Sequence, residues 1–193
     1  LDALARGGGR VPIVVAIDND GRHRMDEYDP WRARDARLGG GEGDAYLAFV
    51  ATVVKPRVDA RYRTRPDPAS TWLGGSSMGG LIALAGALRR PDVFGGAAVF
   101  SCACWVARDS VLALARRSGA LAGRTRLWFV VGGRETADDE PVHDQRAVVA
   151  ALRAAGWREG RDLVALERDD GEHREWFWRR EFGGMVRWWL APR

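Results

Sequence analysis

The sequence predicts an α/β fold in which a mostly parallel sheet carries helices on both faces. Short apolar runs bounded by turn residues alternate with longer helical patterns from end to end. Hydrophobic residues make up 46% of the 193 positions, enough for one real core, and no repeat or low-complexity linker divides the chain. The run RLWFVVG is of the buried-strand type, which suits a sheet covered on both sides.

The elements follow in order. VPIVVAI (11–17) is a strand candidate, β-branched and bounded by Gly-rich and Asp/Asn-rich segments, and a helical pattern covers about 44–60. STWLGG (70–75) is the next strand candidate, and LIALAGALRR continues into a helix over 78–90. GAAVFS (96–101) and RLWFVVG (126–132) are strands on either side of a helix over 109–117. A helix over 141–155, a strand at DLVALE (162–167) and a helix over 174–190 complete the series. Gly119, Gly123 and Gly156 sit at plausible helix ends. In such sheets the chemistry gathers at the carboxyl ends of the strands, here residues 75–79, 101–105, 132–139 and 168–173.

Composition removes several classes of function. The formal charge is only +4, and arginines and acids interleave, as in DAYLAFVATVVKPRVDARYRTRPDP, so the surface is an ordinary solvated one and no nucleic-acid partner is expected. No apolar run approaches the roughly 20 residues needed to cross a bilayer. Cys102 and Cys104 are the only two cysteines; they cannot build a disulfide framework and read as two small buried hydrophobes after a strand. A zinc site would need further ligands, and only three histidines exist, so no metal or other cofactor is expected.

Within GGSSMGG, the stretch Gly75-Ser76-Ser77-Met78-Gly79 fits G-x-S-x-G with Ser77 at the centre. A strand precedes it and an apolar helix follows, the context of a nucleophile elbow. Glycines leave room for the sharp turn, and the helix N-terminus faces the developing oxyanion. A frame centred on Ser76 lacks the closing glycine. A serine hydroxyl needs a base. On this scaffold the chain order is serine, acid, histidine, which excludes His23. His143 lies at the start of a helical pattern, whereas His173 lies in DDGEHREWFW, between the last strand and the last helix, where a base can reach Ser77. The acid belongs in GGRETADDE after strand 126–132: Glu135 comes first, Asp138 is the alternative, and Asp139 and Glu140 read as helix N-terminal charges around Pro141.

The run YRTRPDPASTWLGGSSMGGLIALAGALRRPDVFGGAAVFSCACW, with VVAIDNDGRHRMDEYDPW, LWFVVGGRET and GEHREWFWRREF, resembles an esterase family of α/β-hydrolases. That family includes enterochelin esterases, feruloyl esterases, S-formylglutathione hydrolases and mycolyltransferases. The resemblance spans nearly the whole chain and implies an α/β-hydrolase fold. It also implies Ser77 as nucleophile, Glu135 as acid, His173 as base, and the Met78 N–H as half of the oxyanion hole. The cysteines in SCACW depart from the family pattern and border the expected pocket. Arg24, Glu27 and Tyr28 match a segment near the substrate cleft, with Arg24 and Glu27 expected to pair with each other. Of the nine tryptophans most read as packing, with Trp105 and Trp176 the candidate pocket residues because they flank catalytic loops.

The expected function is therefore hydrolysis of a small-molecule carboxylic ester through an acyl-enzyme. Acyl transfer of the mycolyltransferase type, or a non-catalytic binding domain on the same fold, are the alternatives. Residues 1–193 are expected to form a single esterase domain that is N-terminally incomplete. The resemblance implies a further strand between 11–17 and 70–75, and an upstream loop that donates the second oxyanion N–H. A gap or non-native pairing beside strand 70–75, and poor anchoring of Leu1–Arg6, are the structural consequences expected.

Overall fold

Four parallel strands form one sheet: β1 (Trp72–Ser76), β2 (Gly96–Phe100), β3 (Arg126–Gly132) and β4 (Leu163–Arg168), hydrogen-bonded in the order β1-β2-β3-β4. The computed structural model describes residues 5–6, 11–33, 35 and 38–192. The α-helices bounded within these residues are α1 (Arg24–Tyr28), α2 (Gly43–Phe49), α3 (Lys55–Arg61), α4 (Met78–Arg89), α5 (Arg108–Arg117), α6 (Glu140–Ala154) and α7 (Glu175–Leu190). A π-helical stretch, Val50–Val54, joins α2 to α3. Pro56 follows it; a proline there offers no N–H to the preceding turn and crowds its carbonyls, which the wider turn accommodates.

The strand period of two sorts side chains onto two faces. Ala97, Val99, Leu127 and Phe129 face a core shared with Leu81, Leu84 and Leu88 of α4, Val111 of α5, and Val148 and Leu152 of α6. Ala98, Phe100, Trp128 and Val130 face the opposite way, against Phe177, Met185 and Val186 of α7. Every residue of β2 and β3 is buried, as expected for strands covered on both faces. The end of α7 is tied down by a buried arginine: Arg126 donates to the carbonyls of Trp188 and Trp189 at 2.8 and 3.0 Å, and its guanidinium lies 3.9 Å from the Trp188 ring centroid. A cation on the last carbonyls of a helix satisfies both the carbonyls and the helix dipole.

The five expected helices over 44–60, 78–90, 109–117, 141–155 and 174–190 are all present, as are four of the five expected strands. The exception is 11–17, which forms no strand. Val11, Ile13, Val14 and Val15 are 44%, 51%, 57% and 43% exposed, and of this apolar run only Ile17 packs against the core. The reason is pairing. A strand exists only against a neighbour, and β1, with β2 on one side, has no strand on its other side among the described residues. Instead, 11–17 and β1 line a cavity of about 820 Å³, so the gap expected beside strand 70–75 is present. The expectation for Leu1–Arg6 falls largely outside the described residues; Ala5 and Arg6 are exposed.

The register aligns Ser76, Phe100, Val130 and Leu166 across the sheet. The loops that leave the carboxyl ends of all four strands therefore start side by side.

Candidate active site

Ser77 follows the last residue of β1 and precedes α4, with φ 57° and ψ −122°. A non-glycine residue at positive φ is strained, at a cost on the order of 1–3 kcal/mol, and persists only where its surroundings hold it. Here they do. Ser77 N donates to Phe100 O at 2.9 Å, and Ser77 O accepts from Gly80, Leu81 and Ala103 N–H at 3.0, 3.2 and 3.1 Å. A Cβ on Gly75 would come within 2.8 Å of Gly79 Cα, so the expected absence of side chains beside the turn is a packing requirement at this glycine. Met78 is buried and supplies the first N–H of α4, one of those that a helix leaves without an intrahelical partner. Ser76 is the last residue of β1, its backbone committed to the pairing with Phe100.

Two other loops meet each other at the same end of the sheet. Gly133 N donates to Arg168 O and Arg134 N to Gly171 O, each at 2.8 Å, which fastens the loop after β3 to the loop after β4. Gly132 and Gly171 pack so closely that a Cβ on either would collide with the other's backbone. The clamp brings Glu135 to His173: Oε2 of Glu135 lies 2.9 Å from His173 Nδ1. The carboxylate side chain is fully buried while the histidine is 40% exposed, so the imidazole has an open side beyond the buried acid. Oε1 of Glu135 accepts from Gly132 N at 2.7 Å and from Ser101 Oγ at 2.5 Å. Among the described residues the Ser77 hydroxyl makes no hydrogen bond to His173; such bonds are often long before substrate binds and tighten in the complex.

The remaining candidates separate cleanly. Asp138 is fully exposed and accepts from Glu140 N at 3.3 Å; its carboxyl is held below the usual range by its bonds to Thr136 and to the Glu140 backbone, and it does not contact His173. His143 is exposed on α6, and His23 pairs with Asp26 at 3.4 Å. Trp105 and Trp176 are 46% and 38% exposed, unlike Trp128, which is packed beneath α7. Arg180 lies over the Trp176 ring, 5.2 Å from its centroid.

Two expectations need correction. Cys102 and Cys104 are not two independent hydrophobes: they form a disulfide, closing the loop after β2 around Ala103, whose N–H holds the Ser77 carbonyl. Two cysteines make no disulfide framework, but a three-residue ring needs none. Nor do Arg24 and Glu27 pair with each other. Glu27 accepts from Asp20 N at 2.8 Å, and the Arg24 guanidinium lies 5.5 Å from the Tyr28 ring centroid. Both are on α1, and these contacts take Glu27 to the Asp20 backbone and Arg24 to the Tyr28 ring instead. Sequence reasoning also missed Ser101 and Trp178. Ser101 is buried at φ 46°, and its Oγ accepts from Trp178 Nε1 at 2.8 Å; the Trp178 ring stands edge-on to His173, with centroids 5.1 Å apart. The one available signal was position, since Ser101 is the first residue past a strand end.

A parallel sheet with a strained serine turn after β1, and a buried carboxylate on a histidine between the loops after β3 and β4, defines an α/β-hydrolase fold. The chain belongs to the "Putative esterase" family, whose model matches residues 1–189. The uncharacterized protein YbbA of Bacillus subtilis (strain 168) is 25% identical over 190 residues, which are 93% of this chain and 74% of YbbA. An enterochelin esterase structure from Shigella flexneri superposes with a TM-score of 0.67 at 22% identity, over 90% of this chain and 41% of that one. An IroE-like serine hydrolase structure from Shewanella oneidensis gives a TM-score of 0.69 at 15% identity, over 86% and 56%. A ferulic acid esterase is covered to 60%, so the chain spans roughly half the length of these solved structures, which are likenesses of fold.

Proposed function

We propose that this domain hydrolyses a small-molecule carboxylic ester through an acyl-enzyme. The observation that carries the reading is the fully buried Glu135 carboxylate on His173 Nδ1, in a loop cluster shared with the positive-φ turn at Ser77. Glu135 fixes the tautomer: with a proton on Nδ1 donated to the carboxylate, Nε2 is free to accept. His173 takes the proton of Ser77 as the hydroxyl attacks the ester carbonyl, and the growing imidazolium charge is stabilised by Glu135. The oxyanion is received by the Met78 N–H at the start of α4, where the helix dipole favours negative charge. His173 then protonates the leaving alcohol, and in the second half activates water to release the acid. Trp105 and Trp176 are the exposed aromatic surfaces for substrate contact beside these loops. These steps call on side chains and backbone alone, with no cofactor.

Transfer of the acyl group to an alcohol uses the same first half-reaction and is the alternative reading. Incubating the protein with a p-nitrophenyl ester, with and without a sugar acceptor, separates the two. Free acid in both samples supports hydrolysis; an acylated sugar in the second supports transfer; no p-nitrophenol release by either route argues for a non-catalytic binding domain.

A further inference from the structure

We infer that Ser101 and Trp178 are positioning residues for the acid of this site, a hydrogen-bonded relay that sets how strongly the Glu135–His173 pair holds a proton; the inference rests on the reading of those two residues as acid and base. An indole N–H can only donate, and a serine hydroxyl has one proton to give. Because Trp178 Nε1 occupies a lone pair of Ser101 Oγ, the hydroxyl proton is directed to its other partner, Glu135 Oε1. The direction of the chain is therefore fixed: Trp178 to Ser101 to Glu135. The 2.5 Å separation is that of a hydroxyl on an ionised carboxylate.

The carboxylate has need of it. Its side chain is fully buried, and among the described residues no arginine or lysine pairs with it; its donors are Gly132 N, Ser101 Oγ and His173. A buried charge held by dipoles alone depends on each of them. Ser101 also occupies a left-handed backbone position, φ 46°, with its N–H on Val130 O at 2.8 Å, and this turn aims the hydroxyl toward the loop after β3. Trp178 adds a second constraint, since the ring that donates to Ser101 is the one standing edge-on to the His173 imidazole. One side chain thus touches both the base and the residue that supports the acid.

Removing a donor from the carboxylate favours the state in which the pair carries a proton, so the pair should protonate at higher pH. Charged groups around the pair are Arg134 in the loop after β3, Asp170 and the Glu172–Arg174 pair in the loop after β4, and Arg180 of α7, which pairs with Asp170 and Glu181; all remain in each variant compared. Ser101→Gly keeps the left-handed turn without strain and deletes only the hydroxymethyl. Trp178→Phe keeps most of the ring packing and deletes the N–H. The measurement is the titration of the His173 ring by nuclear magnetic resonance, alongside kcat and KM for a p-nitrophenyl ester. Ser101→Gly should move the midpoint to higher pH and lower kcat about 10- to 100-fold with KM little changed. Trp178→Phe should act in the same direction, by about three- to tenfold in kcat. A His173 midpoint unmoved in Ser101→Gly, or in Trp178→Phe should the first variant not fold, would overturn the relay. An inactive parent protein with a shifted midpoint in the variants would instead overturn the esterase reading and leave the relay standing.

Discussion

At the scale of single residues, the two acids of the loop after β3 have different surroundings and so different expected weights. Glu135 is buried on His173, and Asp138 is exposed at the entry to α6. Glu135→Gln places an amide where the Nδ1 proton must be accepted, which invites the wrong tautomer, and turnover should fall by roughly 10³- to 10⁴-fold. Asp138→Asn removes a surface charge and should change turnover by no more than about twofold. Steady-state kinetics on the two variants checks the assignment, and a larger loss at Asp138 would reverse it. The sharp turn at Ser77 and the meeting of Glu135 with His173 were legible in the sequence because each residue lies just past a strand end, in a chain order that leaves few choices. The relay through Ser101 was not, because its bonds join residues 34 and 77 positions apart, a separation at which only the folded chain brings partners together.

Among the elements, those whose signal is local were legible and those that depend on a partner were not. The helices over 78–90 and 141–155 announce themselves by apolar periodicity and by glycines or turns at their ends. The run 11–17 has the same β-branched chemistry as the strand 126–132, yet only the second finds neighbours on both sides. The loop 101–104 is a further case, since whether C-x-C closes on itself depends on the turn that carries it. Its disulfide rings only three residues, so by the loop-closure relation it contributes roughly 1.5 kcal/mol to stability. Reduction, or the pair Cys102→Ser and Cys104→Ser, should lower Tm by only about 3–6 °C. Thiol titration of the denatured protein should find no free thiol before reduction and two after it. Two free thiols in the unreduced protein would contradict the closed loop.

For the molecule as a whole, the sheet has one anomalous side. β1 carries the Ser77 turn and is also, among the described residues, the edge strand, with a cavity of about 820 Å³ between it and the exposed run 11–17. An unpaired edge beside apolar surface promotes association. Light scattering of the 193-residue chain is therefore expected to show mass rising with concentration. A longer polypeptide that brings a further strand into the gap should stay monomeric and melt higher. Equal melting and equal scattering in the two would show that the open edge is how this domain is finished. The fold class was readable from the alternation of strands and helices, whereas the gap beside this edge followed only from the family resemblance, since no property of residues 70–76 records whether a neighbour pairs with them.

The central claim is that Ser77 is an activated nucleophile, and covalent labelling by a fluorophosphonate, with the modified residue located by mass spectrometry, tests it most directly. The probe reacts with a serine only where a base and an oxyanion site are assembled around it. The account predicts one adduct, on Ser77, lost in Ser77→Ala together with roughly 10⁴- to 10⁶-fold of turnover while the melting temperature is kept. Labelling of Ser76, or of no serine in a protein that still hydrolyses esters, would contradict it.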